Sequence, residues 1–213
     1  MNKFYMFLQI IEYYILIAGI LYTTGSVMQK RWSWLCLMSY SPILVGLSIH
    51  KHLYMNSLLY IYFFYSGVRG WIKWGKNKKG GVNKVALTPS FASRKKQIIV
   101  ASASFVVFIL MCIFHPSNHI VEASFVTIVL DSIVFVLKTS SMYFKTSKNI
   151  EGNALMAIGN GIATIMFIER GLITSSGLYI YSFIVSSIGT YTWYKEYKRN
   201  KIPENANVIP FTR

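Results

Sequence analysis

An all-α integral membrane protein with seven transmembrane helices is the fold this sequence predicts, and three observations predict it. Of the 213 residues, 54% are hydrophobic, and the apolar residues come in long runs with the charge packed between them. Seven runs approach the ~20 residues a helix needs to cross the hydrocarbon core: 8–27, 34–50, 55–74, 97–114, 124–144, 154–170 and 176–194. The chain also matches itself on a shift of 119 residues, so that LYIYFFYSGVRGWIKW at 59–74 falls on LYIYSFIVSSIGTYTW at 178–193.

In chain order, the first run resembles a signal peptide but is long and lacks a small-residue cleavage site, so it reads as an uncleaved first span. Residues 8–74 then form a first three-helix repeat. Residues 75–96 form a basic cytoplasmic loop whose KNKKGGVNK and SRKK lie near anionic headgroups. Residues 97–114 are a linker span, 124–194 a second three-helix repeat, and 195–213 a cytoplasmic tail. Of the 22 Lys and Arg, 17 fall at 30–31, 73–96, 145–148 and 195–213. That asymmetry places these four segments inside, with the N-terminus outside and the C-terminus in the cytoplasm of a plasma or inner membrane. It also explains the net charge of +15 without a nucleic-acid partner. Cys36 and Cys112, both in apolar runs, read as small hydrophobic residues.

The repeat is ungapped: residues 11–74 lie on 130–193. Glu12 meets Asp131, Ser41 meets Asn160, Tyr60 meets Tyr179, Tyr62 meets Tyr181 and Trp74 meets Trp193. An odd number of linker spans makes the two copies run in the same direction. A 3+1+3 plan of two parallel repeats is used by some transporters, with the ligand near the midplane between them.

Little in the chain suggests bond-making chemistry. GWIKWGK at 70–76 follows the phosphate-loop pattern, but Asn77 stands where a magnesium-binding Ser or Thr is needed, and a membrane helix precedes it. His50 with His52, and His115 with His119, lack further ligands, so neither a metal nor a cofactor is expected, nor enzymatic activity. Ionisable groups within spans must face a partner or a polar cavity. Glu12 and Asp131 are either interfacial carboxylates or part of an entry path. Lys138, two turns beyond Asp131, either reaches back to the interface or lines the cavity. Tyr60, Tyr179 and Tyr181 lie nearer mid-span than the Trp71 and Trp74 belt, and each hydroxyl needs a partner. Asn160, in MAIGNGIA, must bond a ligand or another helix.

On these residues the chain resembles the PnuC family of vitamin and nucleoside transporters. The resemblance covers residues 11–194. It rests on Ile11–Glu12, Leu53–Tyr54, Gly70, Trp71 and Trp74, Asp131–Ser132, Asn160, and Gly189 with Trp193. It implies a fold like that of the SWEET sugar transporters and facilitated diffusion of an unphosphorylated vitamin, nicotinamide riboside above all. A homotrimer and a cytoplasmic kinase that traps the substrate are implied with it. The family motif WxxWxxxN reads NALMAIGN here, with Asn153 and Met156 at the tryptophan positions. Tyr60 and Gly67 stand where a Gln and an Asn occur in the family, and Ile188 replaces another Asn. The implied substrate-binding set is Asn160, Tyr60, Tyr179, Tyr181, Asn153, Met156, Ser41 and Trp71, with Glu12, Asp131 and Lys138 at an entry path or gate. Either tyrosines have taken over stacking, or the substrate is another flat heterocycle such as thiamine or a deoxynucleoside.

Overall fold

A computed structural model describes residues 3–50, 54–75, 87–113, 125–169 and 173–201. They form seven helices: α1 (Lys3–Val27), α2 (Ser33–His50), α3 (Tyr54–Gly75), α4 (Arg94–Ile113), α5 (Phe125–Lys145), α6 (Glu151–Glu169) and α7 (Ile173–Lys201). A helix satisfies its own backbone groups, which lipid cannot do, so each apolar run becomes one. His52, His115 and His119, most of the basic loop (76–86) and the tail from 202 lie outside the described residues.

Four helices are long and apolar enough to cross a membrane unaided: α1 from Gln9, α2, α4 and α5. The other three are less apolar than their sequence runs suggest. α3 and α7 carry tyrosines, serines and a basic end, and α6 carries Asn153, Asn160 and three glycines. Their polar residues are tolerated because many of them face other helices.

α1 packs on α2 and α2 on α3; α5 packs on α6 and α6 on α7. Two contacts join these groups, α1 with α7 and α3 with α5, while α4 lies against α5. Ile98, Ile99, Phe105, Val106 and Leu110 of α4 are exposed, and among its residues only Met111 is buried. Lipid replaces water around such a surface, so its exposure carries no hydrophobic penalty.

The ends of α1 and α5 repeat one another in detail. Gln29 and Lys148, related by the 119-residue shift, both take a left-handed backbone, with φ of 57° and 52°. Around each, one amide bonds five residues back (Lys30 to Gly25, Asn149 to Phe144) and one bonds three back (Gln29 to Ser26, Lys148 to Lys145). This is the Schellman cap, which satisfies the last carbonyls of a helix. Neither cap uses glycine, although a side chain in this conformation costs roughly 1–2 kcal/mol. The compensation is a contact between the two residues: Lys148 Nζ donates to Gln29 Oε1 at 2.8 Å.

Candidate functional site

α5 and α6 run antiparallel and touch at two levels, each pairing a buried lysine with a glycine. A Cβ on Gly159 would lie 3.6 Å from Lys138 Cγ, and one on Gly152 would lie 2.8 Å from Lys145 Cγ. The residue after each glycine is an asparagine, Asn160 or Asn153. Seven residues separate the levels on both helices, or ~10 Å by helical rise.

The first level holds most of the ligand-type residues that the sequence predicts near mid-span. Lys138 is buried at 8% exposure, and its Nζ lies 4.2 Å above the Tyr179 ring. The lysine therefore turns into the bundle and does not reach back to the interface. Tyr179 also stacks on Phe167, with centroids 4.8 Å apart. Its repeat equivalent, Tyr60, packs against the core with its ring 6.1 Å from that of Phe63. Tyr40 is buried in the same core cluster as Tyr22, with Tyr60 packed against that cluster. Asn160 is 3% exposed and makes no side-chain hydrogen bond among the described residues; only its backbone carbonyl is used, by Thr164 Oγ1. Lys138 of α5, Tyr179 of α7 and Phe167 of α6 thus meet, with Asn160 buried on α6 next to the Gly159 that faces Lys138.

The second level lies toward the basic end. Lys145, counted with the loop charges in the sequence, is 1% exposed inside the bundle. Its Nζ donates to Ser26 Oγ at 3.3 Å and lies 5.7 Å from the Tyr22 ring. Asn153 is 0% exposed, and neither polar atom of its side chain has a partner among the described residues. Its Cγ lies 3.3 Å from where a Cβ on Gly189 would stand. One turn earlier on α7, the Ser186 hydroxyl is likewise buried and unpartnered. Trp34, which Asn153 matches in the repeat, is also fully buried with its Nε1 unpartnered, and its ring packs over Gly70 as Asn153 packs over Gly189.

Below this level the bundle is closed by contacts between its halves. Trp193 Nε1 donates to Val27 O at 2.8 Å. Trp74 and its repeat equivalent Trp193 lie 6.4 Å apart. Lys148 lies 5.0 Å from the Trp74 ring, and Gln29 bridges it to Glu196. Burial pushes the Lys148 ammonium below the usual lysine range, and Glu196 pulls it back up.

The remaining predicted residues are placed elsewhere. Tyr181 bonds Thr24 across the α1–α7 contact. It lies two residues from Tyr179, about 200° around the helix, so the two cannot face one ligand. Trp71 is at the basic end, with the Arg31 guanidinium 3.8 Å from its ring and Arg31 Nε donating to its carbonyl. Ser41 is fully buried and donates to Leu37 O within its own helix. Met156 packs in the core with Leu37's neighbours Trp34 and Tyr40. Glu12 is exposed, unlike its repeat equivalent Asp131, which is half-buried. Lys145, Tyr40 and Ser186 were missed. The repeat held a signal for Lys145, since Ser26 is its equivalent and both lie one turn before a helix cap.

Comparison with known proteins decides the family. The model of the nicotinamide mononucleotide transporter family matches residues 9–195. The chain belongs to that family. A solved structure titled "Crystal structure of the Vitamin B3 transporter PnuC" superposes with a TM-score of 0.64 at 17% identity, over 87% of this chain and 81% of that one. That likeness establishes a shared fold. No curated protein matches. The protein is therefore a multi-pass membrane protein of a transporter family.

Proposed function

We propose that the protein carries a flat heterocycle of the nicotinamide class across the membrane by facilitated diffusion, with nicotinamide riboside the first candidate. One observation carries this reading: Asn160, 3% exposed near mid-span and next to the Gly159 that packs on Lys138, makes no side-chain hydrogen bond among the described residues. A buried amide without a partner costs free energy that a ligand would recover. The tyrosine rings offer stacking surface where the family's tryptophans are absent.

In this reading residues 8–74 and 124–194 are parallel repeats, 97–114 links them, and 75–96 and 195–213 lie in the cytoplasm. Support comes from residues that meet their own repeat equivalents: Ser26 with Lys145, Gln29 with Lys148, and Trp74 with Trp193. Such pairs must lie beside the axis relating the repeats. The axis then runs along the membrane normal, with the ligand upon it. The N-terminus is outside, and the basic end, closed here, faces the cytoplasm. A homotrimer and a cytoplasmic kinase acting on the delivered vitamin complete the proposal. Thiamine or a deoxynucleoside is the alternative cargo, favoured by the loss of both tryptophans.

Purified protein in liposomes should let labelled nicotinamide riboside equilibrate and then stop. Accumulation driven by a sodium or proton gradient would refute passive transport. Equilibration of thiamine or a deoxynucleoside in its place would select the alternative.

A further inference from the structure

Lys138 is a buried charge to which passive transport of a ring assigns no task. Its side chain is 8% exposed within α5, and its stem lies against Gly159 of α6. Its ammonium makes no hydrogen bond among the described residues; it rests on the Tyr179 ring, 4.2 Å from the centroid. An ammonium has three donors and is strongly hydrated in water. Burying one against a ring alone is therefore unfavourable unless the ring compensates. An aromatic face does attract a cation, and more strongly where water is excluded. Tyr179 itself is half-buried, with Phe167 packed on it at a tilt of 45°. A permanently cationic flat ring, such as the pyridinium of nicotinamide riboside, would seek the same π surface. There it would meet the lysine at close range, where low dielectric strengthens the repulsion.

We propose that Lys138 is a specificity-determining residue that holds the Tyr179 ring until a flat cationic ligand displaces it, one cation exchanging for another. This rests on the transporter reading above and deepens it. The lysine has a flexible four-carbon stem, so its ammonium can withdraw without moving α5. The exchange sets the affinity, because the cargo binds only as tightly as it outcompetes the lysine. It also favours release, because the returning ammonium reclaims the ring. A carrier that works by diffusion alone has no other source of energy to expel its cargo.

Equilibrium binding to the purified full chain tests this with two probes of similar shape: nicotinamide riboside, a permanent cation, and its reduced form, which is neutral. Lys138→Met replaces the buried ion by an apolar side chain of similar length, a change that folded proteins tolerate. It should tighten nicotinamide riboside about tenfold or more, as expected for a desolvated cation–π contact, and the reduced form by less. Lys138→Arg, which keeps the charge, should leave both affinities near those of the wild type. In a Tyr179→Leu background the gain from Lys138→Met should vanish, because the contested ring is gone. Unchanged or weaker binding of nicotinamide riboside in Lys138→Met overturns the proposal; weaker binding would make the ammonium a donor to the ligand. An equal gain for both probes overturns it as well, since only space was then freed, and so does a gain that survives Tyr179→Leu. If Lys138→Met does not fold, Lys138→Gln is read by the same criteria. If nicotinamide riboside binds none of these proteins, the nicotinamide reading fails, and the exchange is judged separately by N-methylated nicotinamide, a cationic ring without a sugar, against neutral nicotinamide. The cation should raise the Tm of Lys138→Met more than that of the wild type, with no such difference for nicotinamide; equal shifts, or none, overturn the exchange.

Discussion

Replacing Asn160 by Ala separates a ligand-binding amide from one that joins helices. The side chain is 3% exposed and makes no hydrogen bond to the described protein. Truncation therefore breaks nothing within the fold except van der Waals contacts of a small polar group. Stability should change by less than about 1 kcal/mol, since large losses need a cavity or a broken network. Binding is a different matter. Removing a hydrogen bond in a buried, ligand-filled site costs about 1–3 kcal/mol, because the ligand atom is left unpaired. That corresponds to roughly a 10- to 100-fold loss of affinity. Purified wild type and Asn160→Ala would be compared by thermal unfolding and by equilibrium binding of nicotinamide riboside. The expected pattern is similar unfolding with weakened binding. Full affinity with a large drop in thermal stability would show that Asn160 pairs with a helix, and the reasoning from its free amide would fail.

Tyr179 with its repeat equivalent Tyr60 should behave oppositely to Tyr181. Tyr60→Ala or Tyr179→Ala should weaken binding more than the corresponding Phe variants if stacking dominates, read by ligand titration. Tyr181→Phe should leave affinity unchanged and lower stability by about 1 kcal/mol through loss of the Thr24 bond, read by thermal unfolding; weakened binding without that loss would put Tyr181 in the site. For topology, a reporter active only in the cytoplasm should work when fused after Arg213 and fail when inserted near Asn118, and the reverse pattern would invert the proposed orientation.

The helices were legible in the sequence because lipid leaves the backbone one economical solution, and apolar length marks where it applies. The run predicted at 55–74 became Tyr54–Gly75, and that at 97–114 became Arg94–Ile113. The 119-residue match was also legible, but the matched caps at Gln29 and Lys148 came only from the structure. The ends were less so: the last helix, expected at 176–194, runs from Ile173 to Lys201 because a helix continues past the hydrocarbon into its own basic turns. The facing of individual side chains was not legible. Tyr179 and Tyr181 look alike in a hydropathy profile, yet one meets Lys138 and the other meets Thr24, because helix packing fixes which side of α7 turns inward. Lys145 reads as one more loop charge; its burial depends on α1 lying opposite α5 and presenting Ser26. Asn153 reads as a lost tryptophan; only the approach of Gly189 and the lack of a partner among the described residues turn it into an unpaired amide. Sequence determined what each segment must be in lipid, and tertiary packing decided which polar groups were left unsatisfied inside, since that depends on neighbours far away along the chain.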